Sequence, residues 1–226
     1  MQPAGKLARI ASILRKTYGA RRPERHWDNP LDSLIHTILS QNTTAVNCER
    51  AYAHLRQQFR TWEAVWEAPL KELVAAIRSG GLANIKAVRI KALLEEIWKT
   101  QGHFDLSFLR DLSDEEVRAY LGRFKGIGGK TTACILLFAL GRPAFPVDTH
   151  VFRICRRLGL LDGQPTPEKA QAFLESQVRP LDSHGLHVHL VEHGREVCKA
   201  HHPACGMCSL TTMCSHARRQ RSAESD

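Results

Sequence analysis

Four cysteines, Cys198, Cys205, Cys208 and Cys214, stand near the end of the sequence, separated by six, two and five residues. Thiolates this close in sequence can wrap one compact metal centre, because each loop between ligands spans a short distance. A disulfide framework is the poorer reading: Cys48, Cys134 and Cys155 are scattered, and the total of seven is odd. Zinc is the obvious rival, but four-cysteine zinc sites usually present two C-x2-C pairs. One tight pair flanked by two single cysteines on longer arms suits a cubane iron–sulfur cluster, with zinc left as the alternative.

A second chemical signal is the run Phe124, Lys125, Gly126, Ile127, Gly128, Gly129, Lys130, Thr131, Thr132. Its glycines permit positive φ, and their amides can converge on an anion at a helix N-terminus. A Walker loop would need glycine where Phe124 stands, and a dinucleotide fingerprint would need it at Thr131, each behind a strand. Both fail. A helix–hairpin–helix remains, gripping a DNA phosphate through main-chain N–H groups without reading sequence, against the plainer alternative of an ordinary helix–helix turn. Lys130 would sit in the first turn of the following helix, where the positive dipole end disfavours an ammonium. A phosphate could neutralise it there, or it could serve as a neutral amine, a nucleophile able to attack a sugar carbon and form a Schiff base. Asp148, in Pro146-Val147-Asp148-Thr149-His150, follows an apolar run and precedes another helix. Its carboxylate could cap that helix or stabilise a developing oxocarbenium ion.

These residues need a scaffold, and nearly every periodic segment reads as helix. Leu7, Ile10, Ile13 and Leu14 mark one apolar face, and Asn29-Pro30 caps a segment lined by Leu31, Leu34, Ile35, Ile38 and Leu39. Helical stretches follow at 45–59, 62–66, 70–78, 85–98, 113–124, 131–140, 151–158, 167–177 and 186–197. Ser113 and Glu116 form a capping box. No strand alternation of useful length and no internal repeat appears, so the fold class is all-α. Lys and Arg number 32 against 23 Asp and Glu, a formal charge of +9, which favours nucleic acid over membrane as partner. The first twenty residues lack a secretory apolar core, and nothing approaches a membrane span, so an intracellular protein (cytoplasm or nucleoid) is expected.

The hairpin Gly126 to Thr131, the Val147-Asp148-Thr149-His150 segment and the cysteine spacing together resemble the endonuclease III family, bifunctional DNA glycosylases of the helix–hairpin–helix superfamily. The resemblance runs from about Leu31 to Cys214. It implies a 4Fe–4S cluster on the four cysteines and catalytic roles for Lys130 and Asp148. It also implies two helical lobes with a DNA-binding cleft between them: a six-helix lobe over 28–141, and a cluster lobe of 1–27 plus 142–215, with 216–226 as a solvated tail. The implied substrate is double-stranded DNA with oxidised pyrimidines of the thymine glycol type, or abasic sites, bound by a monomer. Lys130 would attack C1′ of a flipped nucleotide, and β-elimination would then cut the strand.

By the same resemblance Gly126, Gly128 and Gly129 would hold the backbone, His150 would face the DNA, and two wedges would fill the vacated space. Leu82 matches one wedge. The other falls at Gln41 or Asn42; a gapless match puts it on Asn42, with Ala45 and Gly129 departing from residues common in the family. Two other readings stand beside this one: a monofunctional glycosylase of the same superfamily, which lacks the hairpin lysine, and a non-catalytic iron–sulfur DNA-binding module. His184, His187, His189, His193, His201 and His202 crowd the region before and within the cysteine array, but 187 and 189 fall on different helix faces. Solvated or hydrogen-bonded histidines therefore explain them better than a second metal. Cys48, Cys134 and Cys155 read as buried thiols and Trp27, Trp62, Trp66 and Trp98 as packing residues.

Overall fold

Pro30 has no N–H to lose in a first helical turn, and Asn29 accepts the Leu31 N–H at 2.9 Å, so a helix starts there in the computed structural model. The structure describes residues 2–21, 27–164 and 166–223, side chains through 220. Twelve α-helices occur among them, and no strand: α1 Pro3–Tyr18, α2 Pro30–Ser40, α3 Ala45–Gln58, α4 Trp62–Glu67, α5 Leu70–Ala76, α6 Ala83–Gln101, α7 Asp114–Gly122, α8 Gly129–Cys134, α9 Thr149–Arg157, α10 Pro167–Gln177, α11 Ser183–Glu196 and α12 Ser215–Ala223. No described helix is long and apolar enough to cross a membrane.

The chain divides into two compact units, Arg25–Ile135 and Met1–Glu24 with Leu136–Asp226. In this division the first unit ends at Ile135. The expected helix over 131–140 is also two pieces: α8 gives way to a π turn, Ile135–Ala139, closed where the Arg142 N–H donates to the Leu136 carbonyl at 2.8 Å.

In the Arg25–Ile135 unit, α2 is apolar nearly all round. Leu31, Leu34, Ile35, Ile38 and Leu39 are buried, each full burial contributing roughly 1.5–3 kcal/mol. Trp62 is buried, while Trp66 and Trp98 stack with centroids 4.8 Å apart. Among the described residues of this unit, one side chain that carries a charge lies deep in the core. Lys86 of α6 is 1 % exposed, and its Nζ donates to the Leu39 carbonyl at 2.7 Å and the Gly80 carbonyl at 2.8 Å. A buried ammonium is tolerable only with such partners. They lie at the end of α2 and just before the turn at Gly81-Leu82, so one side chain ties two loops.

In the other unit α1 packs its Leu7, Ile10 and Leu14 face into a core shared with Val151, Ile154, Leu174, Leu186 and Leu190. Helices far apart in sequence thus close one core. The expected solvated tail is corrected here: α12 is helical and Ala217 joins that core at 4 % exposure, while Arg218 and Arg219 stay exposed. The amphipathic spacing was masked by the arginines around it. The last three tail positions, 224–226, lie outside the described residues.

The histidines of α11 are structural. His184, His187, His189 and His193 are buried, whereas His201 and His202 are exposed. His189 donates from Nε2 to the Gly19 carbonyl at 3.0 Å and stacks on Tyr18. Burial pushes its pKa below 6.5, so the unfolded state takes a proton that the folded state resists. Stability is therefore expected to fall as pH drops below about 6.5, by at most about 1.4 kcal/mol per pH unit from this group. Urea unfolding at pH 7.5 and 5.5 checks it: His189→Gln should flatten that dependence.

Candidate active site and cysteine centre

The hairpin is built by anchoring its ends and leaving its amides bare. The Ser113–Glu116 capping box starts α7. After α7, Phe124 and Ile127 are buried, and the Ile127 N–H donates to the Phe124 carbonyl at 3.0 Å. Gly126 has φ +87°, a conformation that disfavours any side chain, and Gly128 caps α8 with no side-chain hydrogen bond. Gly126, Gly128 and Gly129 are exposed, and α8 has no acidic residue in its first turn. Its N–H groups and dipole are thus available to an anion. Lys130 is half-buried at the second position of α8, and its ammonium has no hydrogen bond or ion pair among the described residues.

Asp148 is the N-cap of α9. Its Oδ1 accepts the Val151 N–H at 2.8 Å, so the capping expectation holds for one oxygen while Oδ2 makes no hydrogen bond among the described residues. Two buried side chains fix the strand-like lead-in. Nδ1 of His187 donates to the Pro146 carbonyl at 2.9 Å, and the Val147 N–H donates to Gln171 Oε1 at 3.3 Å. Sequence reasoning missed both, since neither residue is near Asp148 in the chain. His150 is half-buried, accepts from Arg153 Nη2 at 3.1 Å and packs on Gly194, where a Cβ would meet its ring nitrogen at 2.7 Å. Its Nδ1 face is therefore committed within its own unit.

Leu82 is 50 % exposed with φ +50°, and Asn42 is exposed with φ +51°. Leu82 is therefore no part of the core. A leucine held left-handed is strained by about 1–3 kcal/mol, the kind of cost that accompanies functional loops. Gln41 is half-buried.

The four cysteines line one pocket with Arg157, Ala204 and Ala217, and none is disulfide-bonded. Arg157 donates to Cys198 Sγ at 3.3 Å and to the carbonyls of Lys199 at 2.6 Å and Ala200 at 2.9 Å. Arg153 donates to the Cys198 carbonyl at 3.0 Å. Burial pushes the Cys205 and Cys208 thiols up, and their fellow cysteines add to it. A cation drawn among them would relieve both effects. Among the described residues no three His, Cys, Asp or Glu side chains converge closely enough to hold one metal ion. Four soft thiols lining one pocket, none of them disulfide-bonded, are a donor set suited to a thiophilic metal centre.

With this geometry in hand, residues 35–180 match the family described as HhH-GPD superfamily base excision DNA repair protein. Endonuclease III of Thermotoga maritima is 32 % identical over 206 residues, which is 90 % of this chain and 92 % of that protein. A relative from Arabidopsis thaliana is 41 % identical over 172 residues, 76 % of this chain, and the chain spans only 59 % of its length. Among solved structures, a non-covalent endonuclease III–DNA complex superposes with a TM-score of 0.82 at 26 % identity, covering 98 % of this chain and 100 % of that one. The chain belongs to the HhH-GPD superfamily of base excision DNA repair proteins and, within it, to the endonuclease III family.

Proposed function

We propose that this protein is a bifunctional DNA glycosylase and abasic-site lyase of base excision repair, acting on oxidised pyrimidines of the thymine glycol type in duplex DNA. The observation that carries this reading is Lys130: a half-buried amine with no partner among the described residues, at the start of a helix whose first turn is left open to an anion. The hairpin amides take a backbone phosphate near the extruded nucleotide. Lys130 Nζ attacks C1′ as the C1′–N bond to the base breaks. The sugar ring then opens to an imine, and β-elimination breaks the C–O bond on the 3′ side. Asp148, with one oxygen holding α9, has the other to support positive charge on the sugar, and the proton that Lys130 gives up leaves with the departing base. A formal net charge of +9 supports duplex binding.

Cys198, Cys205, Cys208 and Cys214 would hold a 4Fe–4S cluster, which supplies a rigid crosslink of the loop. Arg153 and Arg157 orient that loop against α9.

The test is a duplex carrying one thymine glycol, incubated with and without borohydride. Base release together with a trapped covalent adduct is the expected result. Free base without adduct would replace this reading with a monofunctional glycosylase. Neither product, on this duplex or on one with an abasic site, would leave a DNA-binding module.

A further inference from the structure

One candidate wedge, Gln41, and the hairpin meet at one side chain, Arg89 of α6. Its Nη1 donates to Gln41 Oε1 at 3.0 Å. On its other side a Cβ at Gly126 would stand 3.6 Å from Arg89 Nε, so the guanidinium lies along the hairpin glycine. No carboxylate pairs with Arg89 among the described residues, so nothing else claims it. The loops it joins are already neighbours: a Cβ at Gly81 would lie 4.0 Å from the Asn42 carbonyl, and Lys86 ties the residues in front of both. Asn42, in contrast, is exposed and its side chain makes no hydrogen bond among the described residues.

We propose that Arg89 is a positioning residue that holds the Gln41 side chain against the hairpin, so that Asn42 and Leu82, and not Gln41, enter the space vacated by the flipped nucleotide. The assignment rests on the function proposed above and adds to it the element that decides which amide meets the opposite base. A guanidinium fits this part because it is planar and carries several donors: one nitrogen serves the Gln41 amide oxygen while Nε lies beside the Gly126 backbone. The left-handed backbone at Asn42 and Leu82 turns both side chains away from helical packing, and both are exposed. Arg89 also brings a positive charge beside the hairpin amides, and a purely electrostatic role in gripping phosphate is the rival that the experiment must separate.

The experiment uses the full-length protein and a duplex with a stable abasic analogue, tetrahydrofuran, opposite 2-aminopurine, whose fluorescence rises on unstacking. Asn42→Gly, which relieves the positive φ, is expected to lower that rise roughly fivefold, while Gln41→Ala leaves it within about twofold. Arg89→Ala frees Gln41, so the double variant Arg89→Ala/Asn42→Gly should regain part of the lost signal, and Arg89→Lys, a point charge without the fork, should behave like Arg89→Ala. A rise that follows Gln41 in the presence of Arg89 overturns the proposal. So does an Arg89→Ala variant whose only change is a weaker salt dependence of binding, by about one unit of slope, the mark of a lost phosphate contact. Binding to the analogue no tighter than to intact duplex overturns the proposed function itself, and this assignment with it.

Discussion

Lys130→Ala is expected to give no borohydride adduct on an abasic-site duplex and to slow strand cleavage at least about a thousandfold. No second amine among the described residues stands at the start of α8 to replace it. Lys125 lies across the hairpin on an exposed position, ahead of the glycine turn rather than in α8. The loss should not come from unfolding. Lys130 makes no hydrogen bond or ion pair among the described residues, and removing a cation from the positive end of a helix is neutral or slightly stabilising. The thermal midpoint should therefore stay within about 2 °C of wild type, and affinity for the tetrahydrofuran duplex should change little. Gel analysis of trapped adducts beside single-turnover cleavage makes the comparison. Retained adduct in the variant would remove Lys130 from the nucleophile's role.

The second large effect concerns Cys214→Ser. Cys214 is buried in the same apolar core as Ala217, and its thiol donates to the Arg157 carbonyl at 3.3 Å. Serine keeps the shape but offers a harder, far less acidic ligand, so the three remaining thiols lose the fourth corner of their centre. Burial of Cys205 and Cys208 then opposes their thiolate forms with no cation to offset it. We expect loss of visible colour, iron and labile sulfide in the purified variant. We also expect a fall of roughly 10 °C in the thermal midpoint, about 3 kcal/mol for a unit of this size. Wild-type protein that is colourless and carries zinc would overturn the cluster assignment.

Much of this architecture was legible in the sequence because it rests on local rules. The Asn29-Pro30 cap, the Ser113–Glu116 box, the glycine turn and the apolar faces of α1 and α2 each follow from a few neighbouring residues. The hairpin, Lys130 and the cysteines could be picked out for the same reason: their chemistry is written in short spacings. What escaped depends on partners distant in the chain. A lysine in a helix reads as solvated, and nothing near Lys86 announces that two carbonyls, 47 and 6 residues away, will bury it. Arg89, His187 and Gln171 were overlooked likewise, since each acts on a backbone or side chain brought to it by folding. The break of α8 into a π turn has no sequence signal at all, because Ile135 to Ala139 are good helix formers.

The nine residues of α9 carry Asp148 at one end and, through Arg153 and Arg157, the cysteine loop near the other. A helix of that length is a stiff rod of about 13 Å. It makes chemical durability and mechanical alignment the same property in this protein. If the proposed chemistry holds, an oxidant that reaches only the thiols would leave Lys130 and Asp148 chemically intact and still lower activity, by freeing the far end of the rod that carries the carboxylate. Loss of activity on ageing should then track sulfur chemistry, well before the fold gives way.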